Sequence, residues 1–209
     1  KLSDNGLWGV ASNVDANDAT QNNYPYLLDI SKGTTLSLLS EAEKLSSPDC
    51  SANDITDDGK IVVGSHKGKP AICRIGDNGS VTWEYLPTPA NIATPRGHIS
   101  ATTPDGSIMV GTVTNNSQNF DGGYQEHPVM WKNGELVALP NIPAGHSGYK
   151  LSRLIDISAD GNVIIGGLHY IYPSEIQHYV YYVNEQKAEI IGTSDFFSTG
   201  STITTACMS

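Results

Sequence analysis

One short turn signature, [Ser/Thr]-x-[Asp/Asn]-Gly, occurs four times and constrains this chain more than any other feature. It reads Ser3-Asp4-Asn5-Gly6, Thr56-Asp57-Asp58-Gly59, Thr103-Pro104-Asp105-Gly106 and Ser158-Ala159-Asp160-Gly161. A lone Asp-Gly suits any hairpin, because Gly accepts the positive φ of a tight turn. Four copies in matching contexts define a repeat. The glycines lie 53, 47 and 55 residues apart. Each turn is followed by a β-prone run, at 7–10, 60–63, 107–110 and 162–165. A small residue closes each run: Ala11, Gly64, Gly111 or Gly166. Runs at 51–56, 99–103 and 154–158 precede three of the turns, so each turn joins two strands.

A third strand is predicted at 26–30, 70–75, 128–132 and 179–183, and a fourth at 35–39, 81–86, 136–139 and 188–191. Only 38–45 offers helical periodicity, enough for one or two turns. Four strands per roughly 50 residues is the pattern of a propeller blade. The chain is therefore expected to be all-β: a β-propeller of about four four-stranded blades. It forms a single domain over 1–209, with units near 1–49, 50–96, 97–150 and 151–202. A stacked β-sandwich array is the alternative. The same four-strand order in every unit, without extra strands, favours the propeller.

The ends leave two arrangements open. Residues 203–209 read as a first strand without its Asp-Gly, while the N-terminus has the turn but almost no first strand. Pairing 203–208 with 7–10 closes a small four-bladed ring. Otherwise the chain is a segment of a larger propeller, and 203–209 opens its next blade. Unpaired terminal edges are a hazard, which argues for closure or for a covering partner.

The units resemble a bacterial extracellular repeat family named after its His-Ala-Phe tripeptide. That pattern runs Asp-Gly, Val-Val-Gly, His-Ala-Phe-x-Trp, then a Gly turn and a Leu-rich strand. The best copy here has Asp105-Gly106 and Val110-Gly111, then His127-Pro128-Val129-Met130-Trp131 and Asn133-Gly134-Glu135-Leu136. The tripeptide is never intact: its place is held by His178-Tyr179-Val180, Lys69-Pro70-Ala71 and Tyr24-Pro25-Tyr26 in the other units. The resemblance implies a propeller that is secreted, periplasmic or on the cell surface of a bacterium. It transfers no catalytic residue.

Charge narrows the function. Lys and Arg number 12 against 22 Asp and Glu, a net −10. A general nucleic-acid binder needs a basic face, so no nucleic-acid partner is expected. Docking on anionic membranes is disfavoured too. No apolar run approaches the ~20 residues of a transmembrane segment. The chain opens on Lys1 without a signal peptide and is expected to be a processed chain or a piece of a longer one, with further blades or domains as possible partners. Cys50, Cys73 and Cys207 form no C-x-x-C pair and read as small buried hydrophobes. No metal or other cofactor is expected.

Strand order sorts the connections. Strand 1–2 and 3–4 turns are tight and share one face. The 2–3 and 4–1 connections are long (12–24, 114–127 and 169–178; 40–49, 87–97, 140–153 and 193–200) and share the other. Long loops persist where they order or function. That face carries the candidate ligand-binding residues Arg96, His98, Phe120, Tyr124, His127, His146, Tyr149, Tyr170 and Tyr172. Tyr offers amphipathic contact area at low entropic cost, although such rings also simply cover blade ends. The histidines show no H-x-H or H-x-x-x-H ligand spacing. Asp121-Gly122-Gly123 and the Asp54–Gly59 stretch lack an EF-hand series, and read as Asx turns. No G-x-S-x-G elbow or phosphate loop is present. The expected function is a protein- or glycan-binding module rather than an enzyme. The alternatives are a carbohydrate-active enzyme, a polysaccharide lyase or hydrolase, using the same face, and a structural spacer in a larger surface protein.

Overall fold

A computed structural model describes residues 1–14, 23–46, 49–115, 126–140, 149–170 and 176–191. The first sheet holds β1 (Trp8–Val14), β2 (Asn23–Asp29) and β3 (Thr34–Ser37), followed by a short helix, α1 (Glu41–Leu45). The second holds β4 (Ser51–Ile55), β5 (Ile61–His66), β6 (Lys69–Ile75) and β7 (Val81–Tyr85). The third holds β8 (Pro95–Thr102), β9 (Ile108–Asn115), β10 (Glu126–Lys132) and β11 (Glu135–Val137). The fourth holds β12 (Tyr149–Ile157), β13 (Val163–Tyr170), β14 (Ile176–Tyr182) and β15 (Lys187–Ile191). Every sheet is antiparallel with its strands in chain order, the meander of a propeller blade. The expected all-β propeller of four blades is what the chain forms.

The turn signature has a physical reason at each position. The hydroxyl of Ser3, Thr56, Thr103 or Ser158 donates to the side-chain oxygen of Asn5, Asp58, Asp105 or Asp160, at 2.6–2.8 Å. That oxygen accepts the backbone N–H two residues on, at 2.9–3.0 Å. The closing Gly sits at φ between 68° and 74°. The three turn aspartates thus serve as Asx-turn acceptors.

Blades pack through apolar layers. Val10, Leu27 and Leu38 of the first sheet meet Ile55, Val62 and Cys73 of the second. Val63 and Ile72 of the second meet Ile99, Val113, Val129 and Trp131 of the third. Ala101, Val110 and Met130 of the third meet Leu154, Ile164 and Tyr179 of the fourth. Trp131 is fully buried, and its indole N–H donates to Pro87 O at 2.7 Å. Cys50 and Cys73 are free and buried, and desolvation pushes the Cys73 thiol up to about 12. Cys207 lies outside the described residues.

The innermost strands β4, β8 and β12 face one axis. Each carries a bulge, at Asn53, Ser100 and Ile155. The first blade offers residues 1–3 in the same place: Leu2 bridges to Gly9, Val10 N–H donates to Lys1 O at 2.9 Å, and Ser3 N–H donates to Trp8 O at 3.0 Å. That edge of Trp8–Val10 is thereby occupied, so the pairing expected between 203–208 and 7–10 is not open in that register. Residues 203–209 themselves lie outside the described residues. Across the axis, Lys1 Nζ reaches Asp156 Oδ1 at 3.5 Å, joining the first blade to the fourth. The apolar layers between described sheets join the first to the second, the second to the third and the third to the fourth, so this contact is a side-chain bridge between the terminal blades and not a packed seam.

Three expectations change in detail. The helix is shorter, at 41–45, and begins with a capping box between Ser40 and Glu43. β8 and β12 begin at Pro95 and Tyr149, within segments expected as loops. Pairing extends them, Arg96 opposite Thr114 and Tyr149 opposite Tyr170. In the second blade the strand 2–3 connection is a tight turn at Lys67-Gly68, both with positive φ.

Candidate functional site

The inner strands open into a funnel of about 670 Å³ on the face opposite the Asp-Gly turns. Its lining comes from equivalent places in successive blades. Five residues before each turn hydroxyl stand Ser51, His98 and Arg153; three before stand Asn53, Ser100 and Ile155. Ser65 and Thr114 contribute from β5 and β9.

The small residue closing each second strand fixes this lining. A Cβ on Gly64 or Gly111 would overlap the carbonyl oxygen of Ser51 or His98, and one on Gly166 would lie 2.6 Å from Arg153 O. Only Gly lets the inner strand approach so closely. Ala11 is tolerated in the first blade, where residues 1–3 pair only with Trp8–Val10.

The rim is knitted from three segments. Gly68 N–H donates to Asp49 O at 2.7 Å, and Gly97 N–H donates to Gly68 O at 2.9 Å. The Arg96 guanidinium lies over Gly68 and pairs with the Asp49 carboxylate. Deeper in, Asn53 Nδ2 donates to Ile99 O at 2.7 Å, and the hydroxyls of Ser51 and Ser65 lie 3.0 Å apart. Arg153 is exposed to the funnel and has no ion-pair partner among the described residues. His98 touches solvent yet is crowded by protein. Desolvation, then the Arg153 charge, holds its imidazole below the ordinary 6.5.

Two carboxylates on the inner strands lie outside the lining. Asp54 and Asp156, two residues before their turn hydroxyls, are both buried. Asp54 accepts from Thr102 N–H at 3.1 Å and from Ile55 N–H at 3.0 Å. Burial pushes its carboxyl up to about 6, against the pull of Lys1.

Of the residues expected to bind, Arg96 and His98 line the funnel together. His127 does not: it is half-buried at the start of β10, opposite Val113. Tyr149 and Tyr170 are a cross-strand pair at the ends of β12 and β13. Phe120, Tyr124, His146 and Tyr172 lie outside the described residues. Arg153, Ser51, Asn53 and Ser100 were not among the candidates. Counting back five and three residues from each turn hydroxyl is the signal that finds them.

In three dimensions the chain resembles dipeptidyl peptidase 4 of Porphyromonas gingivalis (TM-score 0.59, 9% identity), covering 91% of this chain and 32% of that one. It also resembles a putative TolB from Agrobacterium tumefaciens (TM-score 0.56, 13% identity, 90% of this chain and 62% of that one). A third likeness is to prolyl oligopeptidase B from Galerina marginata (TM-score 0.53, 11% identity, 92% and 27%). The chain spans less than two thirds of each. At these identities the likeness speaks to the propeller fold alone. No protein-family model matches the sequence, and no curated protein matches it. No helix among the described residues is long and apolar enough to cross a membrane.

Proposed function

We propose that this chain is a binding module of a secreted or cell-surface bacterial protein, taking a protein or glycan ligand in the central funnel. One observation carries the proposal. The blades repeat the turn and packing residues but diversify the residue that faces the funnel, to Ser51, His98 and Arg153. A spacer needs no such diversity, whereas a site needs distinct groups converging on one concave space. The compartment rests on the resemblance to His-Ala-Phe repeats, supported by the Asp-Gly turns and the closing glycines.

A glycan array combined with pull-down tests this function. Arg153→Ala and Asn53→Ala should each weaken whatever binding is found. Binding unaffected by both would sink the funnel as the site.

The enzyme alternative draws on His98. A neutral imidazole beside a guanidinium could serve as a general base. Turnover of a polysaccharide panel, lost on His98→Ala, would favour it over simple binding.

A further inference from the structure

We infer that the funnel takes a saccharide bearing a uronic acid, with its carboxylate on Arg153 and its hydroxyls on the Ser and Asn side chains around it. This inference rests on the funnel being the binding site.

The chain carries a net charge of −10, yet the funnel lining holds Arg96, Arg153 and His98 against a single carboxylate, Asp49. Arg96 and Asp49 pair and offset one another at the rim. The Arg153 guanidinium is left as the uncompensated charge. It offers an anion a pairing partner inside the concavity despite the acidity of the chain as a whole. The planar fork of a guanidinium matches a carboxylate with two parallel hydrogen bonds.

The rest of the lining argues for sugar. Ser51 and Ser65 share one hydroxyl–hydroxyl bond, Thr114 donates its hydroxyl to Arg96 O and Asn53 donates to Ile99 O, which leaves hydroxyl lone pairs and the Asn53 amide oxygen to accept, and the Ser100 hydroxyl to donate or accept. Such groups accept from sugar hydroxyls, which donate readily. Leu154 borders the space but buries its side chain in the core, which leaves Ile155 as the apolar side chain of the lining, so an acidic peptide would find little for its own apolar groups. A volume of about 670 Å³ falls within the roughly 300–1,000 Å³ typical of small-ligand sites.

The test is calorimetric titration with trimers of galacturonic and glucuronic acid, their methyl esters, and tri-glutamate. An acid trimer should bind, and its ester at least tenfold more weakly. Added salt should weaken the acid and spare the ester. Arg153→Gln should cost the acid trimer tenfold or more and leave the ester unchanged; Arg153→Lys should fall between. Lys150→Gln, a cation outside the lining, should change nothing. Equal binding of acid and ester overturns the role of charge. Equal binding of tri-glutamate overturns the saccharide. Failure of every acid trimer to bind at millimolar concentration overturns the inference but leaves the funnel standing, if another array ligand is lost on Asn53→Ala. An array ligand indifferent to both Arg153→Gln and Asn53→Ala overturns the funnel itself.

Discussion

Gly111 packs against the carbonyl oxygen of His98 so closely that a Cβ there would lie well under 3.0 Å from it. The two residues are cross-strand neighbours at the bulge of the third blade, where Ile99 pairs with Gly111 and Ala101 with Val110. The glycine of the repeat and the funnel residue are thus one device: the first sets how near the inner strand comes, and the second rides on it.

Gly111→Ala should therefore cost ~3 kcal/mol, in the upper range for overpacking, because backbone rather than a flexible side chain must move. Denaturant unfolding measures the loss. Gly134→Ala, with open space around it but φ 81°, should cost only the ~1–2 kcal/mol of a left-handed backbone. A smaller loss at Gly111 than at Gly134 would contradict the close approach.

Asp54, buried near the end of β4, gives the inner strand of the second blade a pH dependence. Its carboxyl is raised to about 6 when folded, so the folded state holds this proton more tightly than the unfolded chain does. Its contribution to stability is greatest near pH 4 and declines as pH rises through about 6. Asp54→Asn keeps the acceptor for Thr102 N–H without the charge. The variant's stability relative to the parent should be ~2 kcal/mol better at about pH 7.5 than at about pH 4.5. Melting curves at the two pH values check this; an opposite sign would contradict the burial of the ionised group.

The turn carboxylates act in the opposite sense. The Thr103 hydroxyl and the Ser107 N–H hold Asp105 below its ordinary value. Its contribution is present above about pH 4 and is lost as pH falls through the lowered value. Asp105→Ala should cost ~1 kcal/mol at neutral pH, with the deficit shrinking in acid. A deficit that grows in acid would contradict this role.

His66 ties α1 to the second blade. It stacks on Trp83 at 5.0 Å between ring centroids, its Nδ1 lies 3.0 Å from the Tyr85 hydroxyl, and its Nε2 lies 3.2 Å from Glu43 Oε1. Glu43 also accepts the Ser40 N–H in the capping box. Burial lowers the imidazole pKa and Glu43 raises it. Glu43→Ala should cost ~1 kcal/mol through the lost cap and move the His66 titration lower still. NMR titration of the ring reads the shift; an upward movement would contradict the pairing.

The strand order was legible because Asx-turn chemistry is local: a hydroxyl, an Asp or Asn side-chain oxygen and a glycine within four residues announce each hairpin. The starts of β8 and β12 were hidden. Arg96, Gly97 and His98 have no strand propensity of their own and are ordered by pairing with Thr114, Val113 and Thr112. The same holds for the funnel. Arg153 looks like an exposed strand residue until it is counted five back from its turn hydroxyl, as Ser51 and His98 are from theirs, and it takes the packing of the blades to turn that shared offset into one lining. The reach of Lys1 to Asp156, 155 residues along the chain, likewise follows from how the blades are arranged about the axis.

The most direct test is amide-shift mapping by NMR during titration with a uronic-acid trimer. The predicted result is a set of shifts at Ser51, Asn53, His98, Ser100 and Arg153, all on the inner strands. Shifts confined to the turns at Asp58, Asp105 and Asp160, on the opposite face, would contradict the funnel as the site.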